Sequence, residues 1–302
     1  MLEVVVFEGV QNLALFAAEE QGFFAREGVQ LHLHFTLNSW TLRDGLANST
    51  YHVAHTAVDN AIAMAELAGV DIAVVMGGDS GFNCFVTQPD IGSVQELRGR
   101  KLLVDAPNTA FALVLYKTMA LHGMTRDDYE AVSVGATPLR LQRMLADPEA
   151  ASAIMNLPYR VQAKQRGLRI LGEATDFIGP YLSTSAFVLR SWAGENGELL
   201  TRYIRAYVQG LRWALAPANA EAAIALLATR LRIGEDIARE SFTIATAAGG
   251  LAIDAALDER GLENVLRLRA EVEGQWGGQA PPVSRYVDLS WYRQAMQELG
   301  GD

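Results

Sequence analysis

His52, His55, Thr56 and Asp59 form the most polar cluster in the first part of this chain. His55 and Asp59 are four residues apart, so they share a face if a helix has begun by residue 55. An imidazole and a carboxylate so placed orient each other for acid–base work, or bind a polar ligand. The other reading puts Asp59 on a first helical turn and His52 in strand packing. Two histidines and one carboxylate supply no third ligand at motif spacing, so no metal is expected there. Cys84 is the single cysteine. It is a remote nucleophile candidate in an enzymatic reading, although its apolar surroundings fit a small buried hydrophobe better. A lone cysteine excludes an intrachain disulfide and a zinc site with several thiolates.

Other polar residues sit where strands end. Asn12, in Gly9-Val10-Gln11-Asn12, is placed to cap the first helix or to reach a ligand beside that helix's free amides. Asn38-Ser39-Trp40 offers a small-residue helix start with an aromatic wall, against the alternative of Trp40 packed into its own lobe. Gly77 to Cys84 is a glycine-rich run in which Phe82 and Asn83 present a ring and an amide; it lacks the order of a dinucleotide-binding fingerprint. Asn108 or Thr109, in Asp105-Ala106-Pro107-Asn108-Thr109, caps the helix that follows and makes an anion- or carbonyl-binding point. Asn156 and Tyr159 follow another strand. Arg160 reads as solvent-exposed, and Arg140 and Arg143, three apart, as a surface stripe. A candidate set rich in Trp, Phe, Tyr, Asn and His and poor in cations favours an aromatic or heteroaromatic organic ligand over nitrate or sulfate. No cofactor is expected.

These residues need a frame. The pattern reads strand 2–7, helix 12–22, strand 30–36, helix 39–47, strand 51–55, helix 58–67 and strand 70–76, short buried strands joined by crossover helices. A second run follows: helix 94–97, strand 101–104, helix 110–121, strand 130–134, helix 138–145, and short strands at 153–155 and 169–171. After strand 184–189 the chain turns mostly helical, over 199–216, 220–231, 234–246, 262–274 and 287–299. Crossings near 84–89 and 183–190 divide it into a discontinuous lobe, 1–87 with 188–302, and an inserted lobe, 88–187, with a cleft between them.

Composition narrows the classes. The 302 residues include 25 Lys plus Arg and 35 Asp plus Glu, a formal charge of −10 that disfavours nonspecific nucleic-acid binding. No apolar run reaches the roughly 18 residues that cross a bilayer. No signal peptide is visible after Met1. A leader removed beforehand would make the protein periplasmic or lipid-anchored; Met1 as the native start would make it cytoplasmic.

Gly22-Phe23-Phe24-Ala25-Arg26-Glu27-Gly28, Leu97-Arg98-Gly99-Arg100-Lys101-Leu102-Leu103-Val104, Gly135-Ala136-Thr137-Pro138 and Met155-Asn156-Leu157-Pro158-Tyr159 together resemble segments of another group. It is the nitrate/taurine/sulfonate-type solute-binding proteins of ABC transporters, in the superfamily shared with thiamine-pyrimidine-precursor proteins. The resemblance implies an α/β fold of the two-lobe periplasmic-binding-protein type (type II), with mixed sheets flanked by helices and a helical C-terminal extension. It implies a cleft that closes on a small organic ligand and an ABC permease as partner. The superfamily also holds enzymes. The cysteine-rich iron-associated motif of one branch is absent here, as is the Arg-x-Gly-Gly segment of the aromatic desulfinase branch. An enzymatic alternative would be a leaderless cytoplasmic protein acting on a small heterocycle, with His55 as acid–base group, Asp59 orienting it and Cys84 as remote nucleophile.

Overall fold

The computed structural model describes residues 1–300. Two five-stranded sheets carry the fold. The first half of the chain supplies β1 (Leu2–Phe7), α1 (Leu13–Glu20), α2 (Phe23–Arg26), β2 (Leu31–Thr36), α3 (Ser39–Ala47), β3 (Val53–Ala57), α4 (Asp59–Ala68) and β4 (Ile72–Met76). It continues through β5 (Cys84–Thr87), β6 (Lys101–Val104), α5 (Ala110–Leu121), β7 (Glu130–Ser133), α6 (Thr137–Ala146), β8 (Ala150–Met155), α7 (Tyr159–Gln165), β9 (Arg169–Glu173) and α8 (Ala174–Ile178). After β10 (Thr184–Leu189) come α9 (Arg190–Leu215), α10 (Ala220–Leu231), α11 (Glu235–Ala245), α12 (Glu259–Glu273) and α13 (Ser290–Glu298).

The first sheet has the order β2-β1-β3-β10-β4 and the second β7-β6-β8-β5-β9. β1 runs parallel to β2 and β3, and β6 runs parallel to β7 and β8. β10 is antiparallel to both its neighbours, as is β5 to its own. Each sheet thus holds one strand delivered by a crossing segment, and the sheets are mixed as the sequence resemblance implied. The strand pairing puts the crossings at 77–83 and 179–183, a few residues before each expected position.

The crossings lie side by side. Ser183 N donates to Asp79 O at 2.9 Å and Asp79 N to Thr184 O at 3.3 Å. Gly77 and Gly78 are required here, because a Cβ would stand 2.1 Å from Ala256 O at the first and 2.5 Å from Thr184 O at the second. Asp79 is buried at this junction, and burial pushes its carboxyl up to about 6 against the opposing donation from Gly81 N.

The helical end of the chain encloses this frame. In α9, Leu200, Tyr203, Ile204, Tyr207, Val208 and Leu211 are buried at helical spacing and pack towards α1. The helix begins at Arg190 rather than 199. Its backbone passes through Gly194 and Gly197 with a kink at Asn196, and Gly197 lets Trp291 of α13 approach. The expected helix 12–22 is found as α1, Leu13–Glu20, and Gly22, with a left-handed φ of 69°, stands between it and α2.

α12 reaches both sheets. Its Arg269 is fully buried and grips Asp59 at the start of α4, with Nε–Oδ1 2.6 Å and Nη2–Oδ2 2.8 Å. The same Nη2 donates to Asn108 O before α5 at 3.0 Å. Asn264, one turn earlier, donates to Ile178 O and Pro180 O of the return crossing. A buried ion pair adds little over an apolar pair, but losing one partner strands the other charge. Arg269→Met is therefore expected to lower unfolding free energy by about 3–5 kcal/mol in chemical denaturation, with partial recovery in the Asp59→Leu/Arg269→Met double variant. A loss under about 1 kcal/mol would rank the pair with surface bridges.

Candidate functional site

The loops after the parallel strands of both sheets face one another across a cavity. β1 contributes Phe7, Glu8 and Gln11; β2 and α3 contribute Thr36, Leu37 and Ser39; β3 and α4 contribute Thr56 and Asn60. Opposite them stand Asp105 after β6, Phe111 of α5, Thr137 and Arg140 of α6, and Asn156 after β8, with Ser183 and Thr184 of the return crossing alongside. The cavity holds about 650 Å³ of space between atoms, open solvent at its mouth included. Strand C-terminal ends are where α/β folds expose free loops and helix N-termini.

The two sides already touch. Ala136 N donates to Leu37 O at 3.1 Å and Val10 N to Leu157 O at 3.3 Å. Tyr159 OH donates to Glu8 Oε2 at 3.0 Å, and burial pushes that phenol well up, with the Glu8 charge adding to it.

Arg140 and Asp105 form the charged floor. Arg140 is fully buried, donating to Gly135 O at 2.5 Å, Thr137 Oγ1 at 3.0 Å and Ile154 O at 3.1 Å, with its guanidinium 5.1 Å from the Phe111 ring centre. Burial pulls its pKa down to about 10 against the attraction of Asp105. Burial likewise pushes the Asp105 carboxyl up, opposed by Arg140 and by the Thr109 hydroxyl that donates to it. Behind Asn60, the buried Arg43 donates through Nε to Asn60 Oδ1 at 2.9 Å. Gln11, Asn156 and Arg140 line this cavity, and Gln11 Oε1, Asn156 Oδ1 and Arg140 Nε are buried without a protein partner. Buried polar atoms in native proteins are nearly always satisfied; these three are exceptions, as are atoms away from the cavity such as His55 Nε2 and Ser241 Oγ.

Of the residues picked from sequence, Ser39, Thr56 and Asn156 line the cavity. Asn38 and Trp40 flank an adjoining hollow with Pro107; the Asn38 side chain caps α3 through Thr41 N, and Trp40 is exposed with Arg43 beneath its ring. Asn12 stands at the N-cap position of α1, yet its amide donates to Phe7 O and makes no cap bond. Thr109 likewise occupies the N-cap of α5 while its hydroxyl serves Asp105 and Ala106 O. Asn108 meets Arg269 through its carbonyl. Phe82 and Asn83 lie in a separate hollow along the crossing, with Arg160 and Tyr181.

The His55–Asp59 pair does not form. Residue 55 is in the middle of β3, so strand geometry replaces the helical spacing that would align it with Asp59. The His55 ring lies against Tyr207, with Nδ1 3.3 Å from Tyr203 OH, and Asp59 is taken by Arg269. Cys84 is fully buried in the second sheet, and burial pushes its thiol up to about 12, so no thiolate exists at neutral pH. Two arginine expectations also give way. Arg160 is buried, donating to Glu173 Oε2 at 2.6 Å and Phe82 O at 3.1 Å. Arg140 belongs to the inward stripe Thr137, Arg140, Leu141 and Met144, while Arg143 alone stays outside, paired with Asp147. That stripe was the signal for Arg140, since its helical period includes 140 and omits 143. Asp105 was legible as the first residue after its strand; Glu8, Asn60 and Phe111 carried no comparable mark.

A family model described as NMT1/THI5 like matches residues 10–220. No curated relative matches the chain by sequence. Among solved structures, one from Bordetella bronchiseptica RB50 superposes with a TM-score of 0.85 at 16% identity, covering 99% of this chain and 98% of its own. The periplasmic nitrate-binding protein NrtA from Synechocystis PCC 6803 gives 0.78 at 13% identity, over 99% of this chain and 88% of that one. The periplasmic aliphatic sulphonate binding protein SsuA from Escherichia coli gives 0.75 at 15%, over 95% and 91% respectively. At these identities the likeness is one of fold.

Burial holds His55 far below its ordinary pKa, at about 3, so the folded protein keeps the ring neutral while the unfolded chain protonates it near 6.5. Its contribution is complete above pH 6.5 and is lost as pH falls, by up to about 1.4 kcal/mol per unit. Between pH 6.5 and 5, denaturation should show the parent losing about 2 kcal/mol more than His55→Gln. Asp79 acts in the opposite sense over part of this range and is common to both proteins. A parent–variant difference that stays constant with pH would mean the imidazole is not held neutral.

Proposed function

Since this chain belongs to the NMT1/THI5-like family, we propose that it is a solute-binding protein that captures a small organic molecule between its two sheets for an ABC-type permease. The lobes would be 1–76 with 184–302, and 84–178, closing about the paired crossings 77–83 and 179–183. Periplasmic location goes with this role; among the described residues no helix is long and apolar enough to cross a membrane. The observation that carries the proposal is the trio of buried, partnerless atoms in the cavity: Gln11 Oε1, Asn156 Oδ1 and Arg140 Nε.

The solute is a small heteroaromatic compound bearing N–H donors. Phe7 and Phe111 supply aromatic walls, while Glu8, Asp105 and the two side-chain carbonyl oxygens supply acceptors. Nitrate and sulphonate, named for two structural neighbours, fit this cavity poorly. An oxyanion would meet two carboxylates, and most of the Arg140 guanidinium donors are already committed to Gly135, Thr137 and Ile154. The enzymatic alternative loses its basis, because His55, Asp59 and Cys84 are each buried away from the cavity lining.

Calorimetry against aminopyrimidines and related heterocycles, alkanesulfonates and nitrate tests both levels. Heterocycles are expected to bind, and Phe111→Ala to weaken them by about 1–3 kcal/mol with the fold intact. X-ray scattering is expected to show a more compact particle on binding. Tight binding of sulfonates or nitrate with no heterocycle bound would overturn the ligand class alone. The absence of any binder and of compaction across a broad metabolite panel would overturn the transport role.

A further inference from the structure

Outside the cavity lining, on the edge of the first sheet, the parallel register sets Glu3 of β1 beside His32 of β2. His32 and His34 are two residues apart on that strand, so they share one face. Leu31 and Leu33, which alternate with them, pack on the core from the other face. Three potential ligand atoms converge as a result. Glu3 Oε2 lies 3.0 Å from His32 Nδ1 and 2.5 Å from His34 Nε2, and all three atoms are within 4.8 Å of one another. The imidazole centroids are 4.3 Å apart. The Glu3 backbone is anchored by its N–H donating to His52 Nδ1 at 3.0 Å, and the Tyr51 ring backs His34 at 5.0 Å.

We propose that Glu3, His32 and His34 form a binding site for a divalent transition-metal ion of the zinc class, with water completing the shell on the solvent side. Two imidazoles and one carboxylate are borderline ligands that suit zinc, cobalt, nickel or copper better than the hard ions calcium and magnesium. A tetrahedral ion about 2 Å from each ligand needs ligand atoms about 3.3 Å apart, so widening the present contacts by less than about 1 Å admits it. His32 is the most exposed of the three, with 57% of its side chain accessible, which leaves the approach open. A bound ion would tie the edge strand β2 to β1 beyond their backbone ladder.

The experiment uses the full chain, stripped with chelator and titrated with zinc chloride against a chromophoric competitor, with cobalt(II) absorption as a second readout. One equivalent is expected to bind, raising the melting temperature and giving a visible cobalt band. The His32→Ala/His34→Ala double variant should bind at least about tenfold more weakly, and Glu3→Gln should also weaken binding, each with an unchanged metal-free melting temperature. His122→Ala, on α5's C-terminal flank, should bind as the parent does. Equal zinc affinity in the parent and the double variant, or an equal loss in His122→Ala, would overturn the site. So would the absence of stoichiometric binding by the parent.

Discussion

The buried Asp59–Arg269 pair is the contact on which the two-sheet arrangement depends. Asp59 opens α4 of the first sheet, Arg269 comes from α12 some 210 residues later, and the same guanidinium takes the Asn108 carbonyl at the start of α5 in the second sheet. One planar cation with several fixed donors joins three elements, which a Lys point charge would do less well. Asn264 on the same helix holds the return crossing through two carbonyls. A helix late in the chain therefore sets how the earlier sheets stand relative to each other.

A second constraint is the narrowness of the junction. The two crossings exchange backbone hydrogen bonds, and Gly77 and Gly78 lie so close to Ala256 and Thr184 that no side chain fits. Hinges absorb backbone rotation at a few residues between packed bodies. Here the connection is a short paired ribbon against the C-terminal segment, while the two sides meet again across the cavity through Leu37–Ala136, Val10–Leu157 and Glu8–Tyr159.

Charge in the cavity is arranged in opposition. Arg140 and Asp105 each suffer from burial and each is relieved by the other. The guanidinium is further committed to two backbone carbonyls and the Thr137 hydroxyl, so it acts as a rigid part of the wall. What remains unpartnered are two amide oxygens and one Nε, all buried, in residues that line the cavity beside Phe7 and Phe111.

Sequence pattern by itself determined the alternation of strands and helices and the residues at strand ends, because buried strands, glycine turns and helical periodicity are local properties. Ser39 at a helix start, Thr56 near the end of β3 and Asn156 just after β8 were legible in this way. Tertiary structure alone decided which buried polar residues meet. The four-residue spacing of His55 and Asp59 became irrelevant once residue 55 was strand. Asp59 found its partner 210 residues away, and Arg160 was drawn inward by Glu173 and Phe82. The convergence of Glu3, His32 and His34 required the register of two strands separated by a helix. Sequence spacing reports only neighbours along one element, whereas pairing between elements depends on packing that the whole chain settles together.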